Sequence, residues 1–454
     1  MEVGVAFRNL NEALKALRLT ERLVEIEQTL APRFECAACL SRAAALDKGA
    51  VLFTSLKGHE VSAVGNLVYS EDVLALEMGV SPGGEYTRAL RERLKSPVKP
   101  KEVENMPVEE VLEPEASLSE VMPIFTYYEG DSGPFVTTGL LQTIDPDTGE
   151  TARGIHRMEL RGDRELGAAL LNPPLSSIYA KYKERGERMP VAVVIGMTPL
   201  IFASFAFKGA AGADKLSVAG GLRGEAVEVG RAKETGILVP AEAEFLLEGY
   251  VDPATERQDG PLGEIGGYSQ LFTTTPSLFV TRITHRKNPI YHALLPDGPE
   301  GDVLLREVAQ TFIASQVEGE FEFFETLHLI RGTFGSSVVV SLSKAESSQI
   351  RALLERLLNT GVVKKAVAVA SDIDPTRTRE VEWSMATRYR PDEDTIILSG
   401  LKGSPIDPST GEDFTSSKLG IDATGYGHNH EHLRVKIQPD AADLAAAIIS
   451  GGRS

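Results

Sequence analysis

The stretch Val239-Pro240-Ala241-Glu242-Ala243-Glu244-Phe245-Leu246-Leu247-Glu248-Gly249, followed shortly by Asp259-Gly260-Pro261-Leu262-Gly263-Glu264-Ile265-Gly266-Gly267-Tyr268, decides how this chain is read. Glu242, Glu244 and Glu248 punctuate an otherwise apolar run, and Asp259 and Glu264 flank a Gly-Pro turn signal. Such a turn has fixed backbone geometry, so two acids carried on it can converge. A carboxyl beside Gly and Ile can lose its water, which raises its pKa and keeps it protonated for proton donation. Taken alone, an Asp-Gly-Pro is more often a solvated loop acid.

Outward from this stretch, from about residue 120 to 300, short β-rich runs alternate with turn signals such as Pro146-Asp147-Thr148-Gly149 and Asp252-Pro253. Phe279-Val280-Thr281-Arg282-Ile283-Thr284 alternates as a strand does. The pattern predicts a compact β-barrel or sandwich carrying one or two helices. Between Met189 and Phe207 no charged residue appears, a length that just reaches a membrane span. Pro190, Gly196 and Pro199 break it up, so it reads as a buried strand, a turn and a short buried helix, with no membrane span.

Towards the N-terminus, Leu10, Leu14 and Leu17 recur at helical spacing, and Val51-Leu52-Phe53 reads as a buried strand. A helix through Leu74, Leu76 and Met78 is expected between Ser70 and Gly79. The tract from Ser96 to Pro114 is rich in Pro and charge and reads as a linker, which puts a boundary near 115. Past Asp302, a helix through Leu304, Leu305, Val308 and Phe312 leads into a third region. There Ile350, Leu353, Leu354, Leu357 and Leu358 trace one helical face before Gly361, and Val362–Ala370 reads as a buried strand.

A formal net charge of -18 argues against nucleic acid as a partner, since phosphate neutralisation needs clustered Lys and Arg. A small molecule is expected instead. The two cysteines, Cys36 and Cys39, form a single CxxC in an Ala-rich segment, which reads as small buried residues rather than a zinc or redox site. Met1-Glu2-Val3-Gly4 lacks the basic and apolar regions of a signal peptide, and a cytoplasmic location is expected.

No GxxxxGK[ST] phosphate loop, GxSxG elbow or HExxH zinc helix is present. The run Ala219-Gly220-Gly221-Leu222-Arg223-Gly224 reads as a turn rather than a phosphate cradle. The acidic stretch, however, resembles the signature of UbiD-type decarboxylases: Val239–Glu242, Glu248-Gly249, Gly260–Glu264 and Gly267-Tyr268 all take part. Lys57-Gly58-His59 with Val64–Leu67 resembles the family's N-terminal strand and turn. Asp372–Pro375, Val381–Trp383, Ala386–Arg388 and the closing Ser417–Thr424 resemble its C-terminal domain. The matches run in family order over most of the chain.

The resemblance implies an α+β multidomain protein. It has an N-terminal α/β domain (1–115), a central split β-barrel that binds the flavin (116–300) and, joined by a helix, a C-terminal α/β oligomerisation domain (301–454). It implies prenylated FMN as cofactor, supplied by a UbiX-type flavin prenyltransferase. The reaction is reversible, non-oxidative decarboxylation: adduct formation with an α,β-unsaturated acid, loss of CO2, and protonation. Glu264 falls where the family places its proton-shuttling acid, Arg157 matches the substrate-side Arg, and Asp259 stands where the motif commonly has Glu. Ile155, His156, Arg157, Glu228 and Lys418 match cofactor-contacting positions.

For the divalent cation, Mn2+ or Mg2+ with an accompanying K+, Glu228 and Asn172 are the candidate ligands. Ala152 occupies the position of the family's Asn. His428, His430 and His432 read as a solvated strand or loop, Trp383 and Tyr268 as core, and Lys208 and Arg185 as surface charge. Gly403–Ser409 resembles shorter archaeal members, which implies trans-anhydromevalonate 5-phosphate as substrate and isopentenyl phosphate, a mevalonate-pathway isoprenoid precursor, as product. An aromatic or heteroaromatic acid such as a polyprenyl-hydroxybenzoate is the second reading. A non-catalytic flavin-binding or assembly subunit is the third. A homo-oligomer, dimer or hexamer, is expected.

Overall fold

The computed structural model describes residues 6–427, apart from 208–211, 405 and 412, with isolated positions beyond 434. His428, His430, His432 and Lys208 lie outside the described residues. Leu10, Leu14 and Leu17 are buried on one face of the helix Leu10–Leu19, whose first turn is capped by the Asn9 side chain. That face packs on Ala50, Leu52 and Val64 of a sheet ordered Leu23–Ile26, Ala50–Phe53, Ser62–Gly65. Ile290–His292 joins this sheet in parallel to Ser62–Gly65, so the chain returns here after completing the middle of the protein. Ser70 precedes the helix Glu71–Met78, and Gly79, at φ +67°, ends it.

The middle of the protein is a closed barrel. In order round the wall run Phe245–Gly263, Met189–Ile195, Phe135–Ile144, Thr151–Gly162, Glu165–Ala168 and Ser269–His285. The last pairs back antiparallel onto the first, so these strands leave no open edge to one another. Closure needs glycine at one point: a Cβ on Gly249 would lie 2.0 Å from the Phe279 carbonyl oxygen, beside a register shift. The uncharged stretch is, as expected, the strand Met189–Ile195, a turn through Gly196 and the buried helix Pro199–Ser204. No helix among the described residues is long and apolar enough to cross a membrane.

The helix Pro299–Val317 leads to a sheet ordered Phe324–Leu329, Ser337–Leu342, Lys365–Ala370, Thr415–Ala423, Thr395–Lys402. Ile350, Leu353, Leu354, Leu357 and Leu358 of the helix Ser347–Leu358 are buried against it. Buried Arg306 ties the regions together: its Nε lies 3.0 Å from Asp302 and its Nη2 3.2 Å from Glu71, which also meets Arg331 at 3.0 Å.

Four readings need correction. The tract 96–114 is not a bare linker, because Val111–Glu113 pairs with Ile283–His285 and Val108 is buried. Ala219–Gly224 is not a turn but the end of the helix Lys215–Arg223. Gly220 and Gly221 serve close approach there, since a Cβ on either would come within 2.6 Å of the Val98 or Ser96 carbonyl oxygen. Tyr268 is 60% exposed on a hairpin turn. Trp383 is 38% exposed on the outer side of the helix Thr378–Arg388, where the Arg388 guanidinium covers its ring at 5.0 Å.

Gly249→Ala is expected to destabilise the barrel by about 1–3 kcal/mol through overpacking. Calorimetry should show a lower thermal midpoint, and an unchanged midpoint would refute the close approach.

Candidate active site

Arg157 and Asp259 sit on opposite walls of the barrel, on Thr151–Gly162 and near the end of Phe245–Gly263. Glu264 begins the turn that follows, where its N–H donates to the Tyr268 carbonyl at 3.0 Å and its own carbonyl accepts from Gly267 at 2.8 Å. Gly260 and Gly267, at φ +73° and +75°, supply conformations that side-chain-bearing residues avoid. Asp131 holds the turn from outside. Its Oδ1 accepts the Gly263 N–H at 2.9 Å, while Oδ2 accepts those of Tyr127 and Tyr128 at 3.1 and 2.8 Å.

These elements bring the three candidate residues together. Arg157 Nη2 donates to Asp259 Oδ2, and its Nε lies 3.1 Å from Glu264 Oε1. The guanidinium stands over the Phe135 ring at 5.6 Å. Asp259 is fully buried, whereas the Glu264 side chain keeps 22% of its exposure. Burial pushes the pKa of both acids above the usual carboxylate range, while the positive charge of Arg157 pulls against it. A seated cation beside carboxyls of raised pKa can bind an anion and deliver a proton.

Two further residues belong here that were not read from the sequence. Arg161 Nη2 lies 3.8 Å from Asp259 Oδ1, and its Nε lies 3.1 Å from Glu159. The signal was strand alternation: 157, 159 and 161 share one face of Thr151–Gly162. Thr275 completes the set, its hydroxyl donating to Asp259 Oδ1 at 3.3 Å.

The remaining candidates lie elsewhere or serve other contacts. His156 is buried, with Nδ1 2.8 Å from the Ala169 carbonyl, and burial lowers its pKa, so the ring is held neutral. Ile155 packs against the core that contains Met197, Val227 and Val239. Lys418 is not set for a phosphate contact: its buried ammonium donates to the Leu358 carbonyl at 2.8 Å, behind the C-terminal sheet. Glu244 accepts the Ile290 N–H at 3.0 Å and Glu248 that of Glu234 at 2.9 Å, so both anchor loops to the barrel. Arg185 ion-pairs with Asp147 at the surface. Cys36 is buried and free, and burial raises its thiol to about 12, which suits an inert core residue.

Glu228 lines a cavity of about 440 Å3 together with Arg8, Arg223 and Glu242. Its carboxylate is met by Lys101 at 3.8 Å and Arg8 at 4.0 Å.

Residues 100–299 match the 3-octaprenyl-4-hydroxybenzoate carboxy-lyase Rift-related domain of UbiD, 312–423 its C-terminal domain and 14–94 its N-terminal domain. A relative from Methanosarcina mazei, named anhydromevalonate phosphate decarboxylase, is 33% identical over 93% of this chain and 98% of its own. The chain belongs to the UbiD family. Among solved structures, the UbiD-class enzyme HmfF from Pelotomaculum thermopropionicum in complex with FMN superposes with a TM-score of 0.90. It is 28% identical, covering 96% of this chain and 99% of that one. An evolved dimeric form of the same enzyme in complex with prFMN gives a TM-score of 0.85 at 27% identity, covering 96% and 100%. UbiD members are carboxy-lyases, and the closed barrel flanked by two α/β regions is the family's fold.

Towards the reacting end of a flavin, Arg157 and Glu264 would offer a cation and a carboxyl of raised pKa. A phosphate taken into the cavity beside Glu228 would meet Arg8, while the Arg223 guanidinium lining it is held by the Phe7 carbonyl and Glu225. The divalent cation does not fit. Among the described residues no three His, Cys, Asp or Glu side chains gather as ligands. Ala152 has no donor atom, Asn172 is exposed, and Lys101 and Arg8 already answer the charge of Glu228.

The raised pKa of Glu264 has a sign that can be checked. A carboxyl whose folded pKa exceeds its unfolded value favours folding at acid pH, and that contribution is lost as pH rises through the folded pKa. Glu264→Gln, which mimics the protonated acid, is therefore expected to raise the thermal midpoint at pH 8. The gain should shrink as pH falls towards 4. A gain independent of pH would contradict the raised pKa.

Proposed function

We propose that this protein is a prenylated-FMN-dependent decarboxylase that converts trans-anhydromevalonate 5-phosphate to isopentenyl phosphate. The observation that carries the reading is the contact of Arg157 with two carboxyls, buried Asp259 across the barrel and half-buried Glu264 on the turn that follows. The named activity of the Methanosarcina mazei relative supports the choice of substrate.

When bound, prenylated FMN supplies the electron sink that lets the bond to the carboxylate carbon break. Arg157 clamps the substrate carboxylate through its planar N–H fork and releases it as CO2. Asp259, fully buried, fixes the orientation of that guanidinium. The Phe135 ring under Arg157 keeps water from its face. As the C–C bond to CO2 breaks, the Glu264 carboxyl gives its proton to the carbon left behind and a C–H bond forms. The exposed edge of Glu264 then takes a proton from solvent, and the cycle closes without net redox change.

Ile155, His156 and Arg157 are assigned to the flavin's reacting side and Glu228, with Arg8, to its phosphate side. Lys418 is left out because it is bonded to Leu358. We assign the three regions as domains at 1–115, 116–300 and 301–454, with the strand Val111–Glu113 at the end of the first paired onto the barrel of the second. The protein is taken to be a cytoplasmic homo-oligomer, its cofactor coming from a UbiX-type flavin prenyltransferase.

In protein co-produced with such a transferase, Glu264→Gln should lower turnover by about 10²–10⁴-fold. The absorbance of bound flavin should be unchanged. If the loaded wild type releases CO2 from neither anhydromevalonate phosphate nor any other unsaturated acid, the decarboxylase reading fails.

A further inference from the structure

The site holds more charge than Arg157 can balance. Facing one another are two guanidiniums, Arg157 and Arg161, and three carboxyls, Asp259, Glu264 and Glu159. In a cluster this far out of water, three anions against two cations favour a proton on one carboxyl. Which one carries it follows from where the second guanidinium sits.

Arg161 is firmly seated. Its side chain keeps 6% exposure, Nη1 donates to the Thr275 carbonyl at 3.1 Å, and Nη2 donates to the Gln258 carbonyl at 3.1 Å. Its guanidinium lies on the Gly167 backbone, where a Cβ would approach Cζ to 2.3 Å. From this seat it acts on Asp259 twice. Nη2 stands 3.8 Å from Oδ1, and it also donates at 2.8 Å to the Thr275 hydroxyl, which in turn donates to that same Oδ1. Asp259 thus has both guanidiniums and a hydroxyl donor. Glu159 has Arg161 and the Ser132 hydroxyl. Glu264 has Arg157 Nε, and Asp259 and its own neighbour Ile265 are the other groups acting on it. Of the two acids that meet a single guanidinium, Glu159 also has a hydroxyl donor, while Glu264 keeps Arg157 alone.

We propose that Arg161 is the residue that assigns the site's proton, holding Asp259 as the anion so that Glu264 is the carboxyl that carries hydrogen. The role is one of positioning and rests on the decarboxylase reading above. Without Arg161, Asp259 competes for the proton. A neutral Asp259 would leave Arg157 to pair fully with Glu264, which would then ionise and lose its capacity as an acid.

The test uses the flavin-loaded enzyme and the pH dependence of kcat. Arg161→Gln should lower kcat at least about tenfold and move its alkaline limb towards lower pH by about one unit. KM and bound-flavin absorbance should be little changed, and Arg161→Lys should restore part of both effects. In an Asp259→Asn background, Arg161→Gln should add nothing, because its target is gone. A loss of kcat with the limb unmoved, or a loss additive with Asp259→Asn, would overturn the proposal and leave Arg161 as packing. Should Arg161→Gln fail to fold, Arg161→Lys and Thr275→Val read the same limb. A wild type inactive on every unsaturated acid marks failure of the underlying reading instead, and is seen before any Arg161 variant is made.

Discussion

A guanidinium held dry between opposite walls of a closed barrel is the interaction on which the rest depends. Taking Arg157 and Asp259 out of water costs several kcal/mol per ion, recovered only if partners meet in good geometry. Asp259 therefore needs the strand Phe245–Gly263 to be pinned along its length. The pinning is visible at both ends: Gly249 lets the hairpin close tightly on Phe279, and Asp131 grips Gly263 beside the turn. Barrel closure and site chemistry are one constraint here, because an unclosed wall would admit water to the ion pair and weaken it.

A raised pKa alone does not mark the acid that works. Burial lifts Glu77 and Glu244 to about 7 as well. Glu77, however, accepts the Thr198 hydroxyl at 2.6 Å and the Leu200 N–H at 2.7 Å, and Glu244 accepts the Ile290 N–H, all in the interior. Neither has a face to reach a substrate or to recover a proton. All three share a guanidinium with a second acid, and Glu264 differs in keeping an open edge. Access, rather than desolvation or coupling, separates the proposed proton donor from the structural carboxyls.

Elements with a strong local period were legible. Leu10, Leu14 and Leu17, the leucines of Ser347–Leu358 and the uncharged Met189–Phe207 stretch all encode their burial in nearest-neighbour spacing. The site was legible only through resemblance, because Arg157 and Asp259 meet across 102 positions of sequence and no local pattern pairs them. Arg161 was missed although alternation puts it on the face of Arg157, since alternation says which side a residue takes and nothing about what waits there. The glycines at 220 and 221 misled for a related reason. Glycine signals turn freedom and close approach alike, and these two answer to the Val98 and Ser96 carbonyls. Tyr268 and Trp383 were assigned by residue type, yet a hairpin tip and an outer helix face leave them in water.

The Asp259 cluster and the cavity beside Glu228 handle charge in opposite ways. Around Asp259 the partners are buried, so each is costly to exchange and the geometry is fixed before any ligand arrives. Around Glu228 the pairs are wet: Arg8 is 60% exposed and stands 4.0 Å from Glu228 while bonding Glu242 at 2.9 Å. Exposed pairs of this kind are worth about 0–1 kcal/mol, so Arg8 can trade a carboxylate for another anion at little loss. The rigid cluster suits a step in which a proton must arrive at one carbon. The exchangeable pairs suit a step in which a phosphate-bearing group must be taken in and let go. Asp259 meets Arg161 at 3.8 Å and again through the Thr275 hydroxyl, which makes that second cation part of the barrel's interior charge balance.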